Sequence, residues 1–412
     1  MRKLALILFV IFISCKSNKK SGFEKKLIYE IQKTDIAAVV MGKINKSGKM
    51  EFYSHGPSRW GRNDTIDQNS IFKIASMTKA IASVAALQLV EQGKITLDEP
   101  LDSLMPEMSK IPILNEDNEI VIPKKSITLR HLLTHTAGFG YGFSSPQLSV
   151  WDSLKIEINW KNTYEPRFFE SGTSFMYGTN IDWVGRLIEK VSKMNLEDYL
   201  RINITGPLDM KSTSFIESRE NENRVAAFSH RDTKLGILIK DSYSRENPTN
   251  QEGVNLNIKK NKNEFNAGGA LSSSPEDYGK FLICMLNKGE YNGKRILKEE
   301  TFDLMNSPQL KDFKIIARHS PVENVDSKPR GDKDHFWDNN DNWTLAWAYE
   351  ESSSIRPKGT AYWAGFFNTY FTIDFKNDFA LIYMTQMLPF NDMISYNLFT
   401  SFERLVYEDH FK

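Results

Sequence analysis

The chain has 412 residues, and 53 Lys and Arg against 52 Asp and Glu leave no charge excess that would draw it to nucleic acid. Two cysteines exclude a disulfide framework. The length exceeds what one simple core usually serves, so two interleaved subdomains are expected.

The first segment is built for export rather than for the fold. Arg2 and Lys3 precede an apolar run from Leu4 to Ile13, and Ser14 leads to Cys15. That run is about half the length a helix needs to span a bilayer. It resembles a bacterial lipoprotein signal. The resemblance implies removal of residues 1–14, lipid on the Cys15 sulfur, and anchorage to a bacterial membrane facing the periplasm or the exterior. Phe12 stands where such signals usually carry Leu, and an ordinary secretory signal is the alternative. Residues 15–26 read as a lipid-attached polar tether and residues 27–412 as the folded domain, expected to be a monomer. Cys284, in the apolar run Phe281 to Leu286, reads as a small core residue rather than a catalytic thiol.

Residues 23–34 have helical spacing. Ile36 to Ile44 and Lys49 to Tyr53 alternate apolar and polar, as two strands joined across Asn45–Gly48. After Ser76, Ala80, Val84, Leu87 and Val90 are spaced for one buried helical face, with Gly93 as a stop. From about 98 to 310, helical segments alternate with Pro-, Gly- and Asn-rich loops, as in a helical insertion. Residues 314–342 are polar, a surface excursion. Trp343 to Tyr349, Ala361 to Asp374 and Phe379 to Gln386 are strand-like, and an amphipathic helix covers roughly 391–408. This order predicts an α/β (α+β) fold: one antiparallel sheet made from both termini, flanked by helices, with a mainly helical subdomain inserted. The site is expected at the seam between them.

The nonapeptide FKIASMTKA, residues 72–80, puts a Ser-x-x-Lys where the long helix begins. Residues three apart share a helical face, so the Ser76 hydroxyl and the Lys79 ammonium are within reach of each other. Free N–H groups and the positive dipole end at a helix start favour a developing oxyanion. The reading is a serine acyl-transfer nucleophile; the plain alternative is a Ser76 N-cap.

Other motifs add chemistry. In ITLRHLLTHTAGFGYGF (127–143), His131 and His135 lie four apart on an expected helix. The metalloprotease pattern needs Glu after the first His, where this chain has Leu132, so the pair reads as a structural helix-to-loop junction. Gly138, Gly140 and Gly142 mark a sharply turning loop able to wall a pocket. In SGTSFMYGTNIDWVG (171–185), Tyr177 falls between a strand-like and a helical segment. A cation such as Lys79 nearby would favour its phenolate, letting Ser76, Lys79 and Tyr177 pass one proton among themselves; the alternative is an aromatic core residue. In TAYWAGFFNTYFTID (360–374), Ala364 and Gly365 form a small pair within a strand, where backbone and ligand approach closely. If this strand borders Ser76, the Ser76 and Phe366 N–H groups form a pair of oxyanion donors; a tight core strand is the alternative.

Taken in order, these motifs and GGALSSSPEDYGKF (268–281) resemble the serine β-lactamase and penicillin-recognising enzyme superfamily. The branch indicated holds class C β-lactamases, DD-peptidases and β-lactamase-like (family VIII type) carboxylesterases. The resemblance implies Ser76 as nucleophile, Lys79 as its proton partner and Tyr177 as general base and acid, with no metal or organic cofactor. It also implies substrate contacts around Thr179, Asn180, Trp363, Ala364 and Gly365. Two departures matter. The family's Tyr-x-Asn would put Asn at position 179, where this chain has Thr179, with Asn180 next. The Lys or His that usually precedes the small-Gly pair is Trp363, which carries no charge. Losing a charge-assisted hydrogen bond to a carboxylate costs on the order of 1.5–3 kcal/mol, which disfavours penicillins and D-alanyl peptides. Ester hydrolysis is therefore the expected activity on a small-molecule substrate. A cell-wall D-alanyl-D-alanine carboxypeptidase or β-lactamase, or a non-catalytic binding lipoprotein of the same fold, are the competing readings.

Overall fold

The computed structural model describes residues 21–216, 219–232, 235–240, 265–310, 314–317 and 341–412. The export signal, Cys15, the start of the tether and most of the 314–342 excursion lie outside the described residues.

The first helix, α1 (Gly22–Gln32), begins with a capping box in which Ser21 and Glu24 satisfy each other's backbone N–H groups. A hairpin follows, β1 (Val39–Asn45) and β2 (Met50–His55), as the alternation predicts. Five strands from the far end complete one sheet: β3 (Asn342–Trp343), β4 (Ala348–Tyr349), β5 (Ala361–Gly365), β6 (Thr369–Asp374) and β7 (Phe379–Met384). The order is β3-β4-β5-β6-β7-β1-β2. Every pairing is antiparallel, and the two termini meet where Val40 opposes Met384.

The expected single strand 361–374 is instead two strands. Gly365 pairs with Thr369 across a tight turn, with Asn368 in the left-handed region at φ 54°. Ala364 and Gly365 therefore end a strand rather than sit inside one. Trp343 to Tyr349 likewise folds back on itself as β3 and β4.

Four helices position the sheet and the site: α2 (Thr78–Glu91), α3 (Asn180–Ser192), α4 (Pro275–Leu286) and α5 (Met393–His410). The two-residue period of the strands sends Phe371 toward Tyr278 of α4, ring centroids 5.6 Å apart, and Tyr370 toward Phe399 of α5, 5.0 Å. Helix α4 falls within the stretch expected as a helical insertion, yet it packs on β1, β6 and β7, so the insertion returns to the sheet before residue 310. Cys284 is buried on α4. Helix α2 differs from expectation too. Every residue from Thr78 to Leu89 is buried, so it is a central helix rather than an amphipathic one. Among the described residues, no helix is long and apolar enough to cross a membrane.

Candidate functional site

The chain enters α2 through a tight turn. Ala75 takes φ 43°, a left-handed conformation that is costly for a residue with a Cβ, and Ala75–Met77 forms a 3₁₀ turn continuous with α2. Ser76 lies in that turn and caps nothing; its Oγ accepts from Lys79 Nζ at 3.0 Å. Against this turn stands the end of β5. A Cβ on Gly365 would come within 2.2 Å of the Ile74 carbonyl oxygen, so only glycine permits this approach. Phe366, the next residue, packs with the small cluster around Ala75.

Lys79 is 1% exposed, and its three protons have three acceptors: Ser76 Oγ, Tyr141 Oη at 3.1 Å and the Gly268 carbonyl at 2.6 Å. Burial alone would push this ammonium down, but Tyr141, Tyr177 and Asp182 together hold it above its ordinary value. Burial drives the Tyr141 hydroxyl above its usual range, so it stays protonated.

Tyr177 joins the short strand Ser174–Met176 to α3, as the sequence suggests. Lys79 Nζ lies 4.8 Å from its ring centroid, and the Tyr141 ring is 5.6 Å away. The two tyrosines meet because Gly178 has no side chain: a Cβ there would sit 2.1 Å from the Phe139 carbonyl oxygen. The Tyr177 hydroxyl accepts from Trp363 Nε1 at 3.1 Å, so the indole serves the tyrosine as well as walling the site.

His135 and Asn180 buttress this loop from behind. The helix carrying His131 ends at Leu133, and His135 follows it in a left-handed conformation, φ 56°, so the two histidines do not share a helix face. His135 Nδ1 faces Asn180 Nδ2 at 3.0 Å and the Gly178 N–H at 3.4 Å. Burial, followed by the nearby Lys79, holds this imidazole well below its ordinary value and hence neutral. Asn180 is fully buried and also donates to the Phe139 carbonyl, so its amide is turned inward and does not face the open site expected of a substrate contact. Thr179 is partly exposed at the start of α3, while Ala364 and Trp363 are 3% and 7% exposed. Among the described residues, no group of three or more His, Cys, Asp or Glu side chains is arranged to hold a metal.

The structure thus brings Ser76, Lys79, Tyr177, Trp363 and the β5 end together. Two members escaped sequence reasoning. Tyr141, in the glycine-rich loop, was readable only as pocket wall, and Asp182 only as a helical residue. Nothing local to either marks a contact with Lys79.

The profile of the family described as Beta-lactamase matches residues 32–397. Monacolin J acid methylbutanoyltransferase of Aspergillus terreus is 27% identical over 399 residues, 90% of this chain and 92% of that protein. Acyltransferase mokF of Monascus pilosus is 32% identical over 252 residues, and there the match spans only 57% of the relative's length. Among solved structures, unliganded simvastatin synthase from Aspergillus terreus superposes with TM-score 0.76 at 24% identity, covering 94% of this chain and 97% of that one. EstCE1, described as a hydrolase with promiscuous acyltransferase activity, gives 0.69 at 19% identity, covering 94% and 100%. Both likenesses are of fold.

Proposed function

The chain belongs to the Beta-lactamase family, and from that we propose a serine hydrolase that forms an acyl-enzyme on Ser76 and cleaves carboxylic esters. In this reading Ser76 Oγ attacks the ester carbonyl. Lys79, as an ammonium with all three protons engaged, has no lone pair to take the Ser76 proton; it orients the hydroxyl and stabilises negative charge. Tyr177, reacting as its phenolate with the Lys79 ammonium and the Trp363 N–H beside it, takes the proton and returns it to the leaving alcohol. The Ser76 and Phe366 N–H groups hold the oxyanion, and Thr179, Trp363, Ala364 and Gly365 border the substrate. Water then hydrolyses the acyl-enzyme by the reverse path. The scheme uses no metal or organic cofactor.

One observation carries esters over β-lactams and D-alanyl peptides. Trp363 brings no charge, and its N–H is given to Tyr177, so this position offers a substrate carboxylate no cation. A second reading, transfer of the acyl group to an alcohol instead of water, is favoured by the methylbutanoyltransferase that matches over most of the chain. Lipid on Cys15 and residence on a bacterial membrane complete the proposal; Cys15→Ala is expected to release the protein into the soluble fraction.

The test is wild type beside Ser76→Ala on p-nitrophenyl esters, a chromogenic cephalosporin and a D-alanyl-D-alanine peptide, with and without an added alcohol. Ester turnover lost by at least about a thousandfold in Ser76→Ala, with a wild-type acyl adduct seen by intact mass, is the expected result. New ester formed from the added alcohol would select transfer. Undiminished turnover in Ser76→Ala would overturn the mechanism.

A further inference from the structure

Asp182 lies on the first turn of α3, one helical turn beyond Tyr177, and none of the roles above uses it. Its Oδ1 accepts the Gly268 N–H at 2.8 Å, and the carbonyl of the same residue accepts from Lys79 Nζ at 2.6 Å. Gly268 is thus gripped from both sides. A Cβ at position 268 would fall 2.4 Å from Asp182 Oδ1, and one at Gly185, a turn further along α3, would fall 2.6 Å from the Ala267 Cβ. Glycine at both places lets α3 and the 266–269 turn close to this distance.

Charge makes the same point independently. The groups around Lys79 are Ser76 on the 3₁₀ turn, Tyr141 on its loop, Tyr177 and His135 beside α3, and Asp182 on α3 itself, with Arg186 one turn on. His135 is neutral and so does not balance the buried ammonium; Tyr141 and Tyr177 raise Lys79, and Asp182 does so with them. Asp182 is the carboxylate acting on Lys79. Burial pushes its own carboxyl up, while Lys79, the Gly268 N–H and Arg186 pull it back toward the charged form.

We infer that Asp182 is a positioning residue of this site: its carboxylate fixes the glycine whose carbonyl grips Lys79 and adds a carboxylate charge to the groups that hold the ammonium beside Ser76. This rests on Ser76 being the nucleophile, so the test separates the two. In the full chain, the rate at which a fluorophosphonate probe labels Ser76 is measured across pH 6 to about 10 for wild type, Asp182→Asn and Asp182→Glu, with melting temperatures alongside. Asp182→Asn keeps an oxygen acceptor for Gly268 but removes the charge. Labelling is expected to fall at least about tenfold, and the basic limb, which in wild type lies above the top of this window, to move down into it, because Lys79 then loses its proton more easily. Asp182→Glu, which keeps the charge but displaces it, should label more slowly with the basic limb near its wild-type position. A basic limb that moves in Asp182→Glu as far as in Asp182→Asn would overturn the role given to that charge, and it serves alone if Asp182→Asn does not fold. Wild type unlabelled at Ser76 would overturn the acyl-enzyme reading and this inference together. Wild type labelled, with Asp182→Asn within twofold and its limb unmoved, would overturn this inference alone.

Discussion

The indole N–H of Trp363 ends on the Tyr177 hydroxyl rather than in open solvent, and that contact decides what each residue can be asked to do. Trp363→Phe keeps the aromatic wall and deletes the donor. A neutral hydrogen bond contributes about 0.5–1.5 kcal/mol, so kcat on p-nitrophenyl esters should fall about 2- to 12-fold with little change in KM. Tyr177→Phe removes the proposed proton carrier and should cost at least about a hundredfold, whereas Tyr141→Phe, which removes one of three Lys79 acceptors, should cost less. Steady-state kinetics on the three variants checks the order; Tyr141→Phe as the most damaged would transfer the proton role to Tyr141. Ser76 and Lys79 were legible because their contact is local, three residues apart on one helical turn. The Tyr141 contact bridges 62 residues, and no spacing rule reaches that far. Asn180 misled for a related reason: its residue type fits a substrate contact, but the rotation of α3 turns it to His135 and Phe139.

The elements that carry the site are held at unusually close range. Gly365→Ala would drive a methyl into the Ile74 carbonyl oxygen, 2.2 Å from the ideal Cβ, and separate the β5 end from the Ser76 turn. Since small misplacements near the chemistry cost about a hundredfold, activity should drop at least that much; unchanged kcat with normal melting would show that β5 does not form part of the site. The short helix before His135 carries its own pH sensitivity. Its cap is reciprocal: Thr128 Oγ1 accepts from the His131 N–H, and His131 Nδ1 accepts from the Thr128 N–H. Burial, ahead of its charged neighbours, lowers the His131 imidazole to about 4. The folded state therefore holds a neutral ring that the unfolded chain would protonate below about 6.5. Its contribution is fully present above that value and is lost as pH falls toward 4, on the order of 2–3 kcal/mol. Denaturant melts of wild type and His131→Gln between pH 7 and about 4 should show the variant losing less stability on acidification. Element type was legible where strands alternate or helices carry caps. The β5–β6 turn was not, because Asn368 sits between two aromatic pairs, Phe366–Phe367 and Tyr370–Phe371, that read as one strand.

Across the whole molecule, the two ends of the chain are fastened by more than the β1–β7 pairing. Arg231, fully buried, holds Asp35 just after α1 at 2.6 and 2.7 Å and also pairs with Asp392, the N-cap of α5. Asp392 is buried as well, so Arg231→Ala leaves an uncompensated charge inside the fold. Loss of one partner of a buried pair typically costs about 3–5 kcal/mol. A fall of that size in denaturant melts, with activity per folded molecule retained, is the expected outcome; a fall below about 1 kcal/mol would mean the pair is dispensable. That both termini build one sheet was legible from the placement of strand-like runs. This buried clasp was not, since a single Arg in a polar stretch gives no hint of the two carboxylates that await it.

The seam between the Ser76 turn and β5 also sets an order in time. Gly365 and Phe366 follow Ser76 and Lys79 off the ribosome by on the order of tens of seconds at usual synthesis rates. Until β5 docks, Ser76 has Lys79 beside it but neither the β5 end against its turn nor the indole behind Tyr177. Chains that stop short of β5 therefore carry the proposed nucleophile without its full surroundings, and catalytic competence becomes a report that synthesis has passed β5.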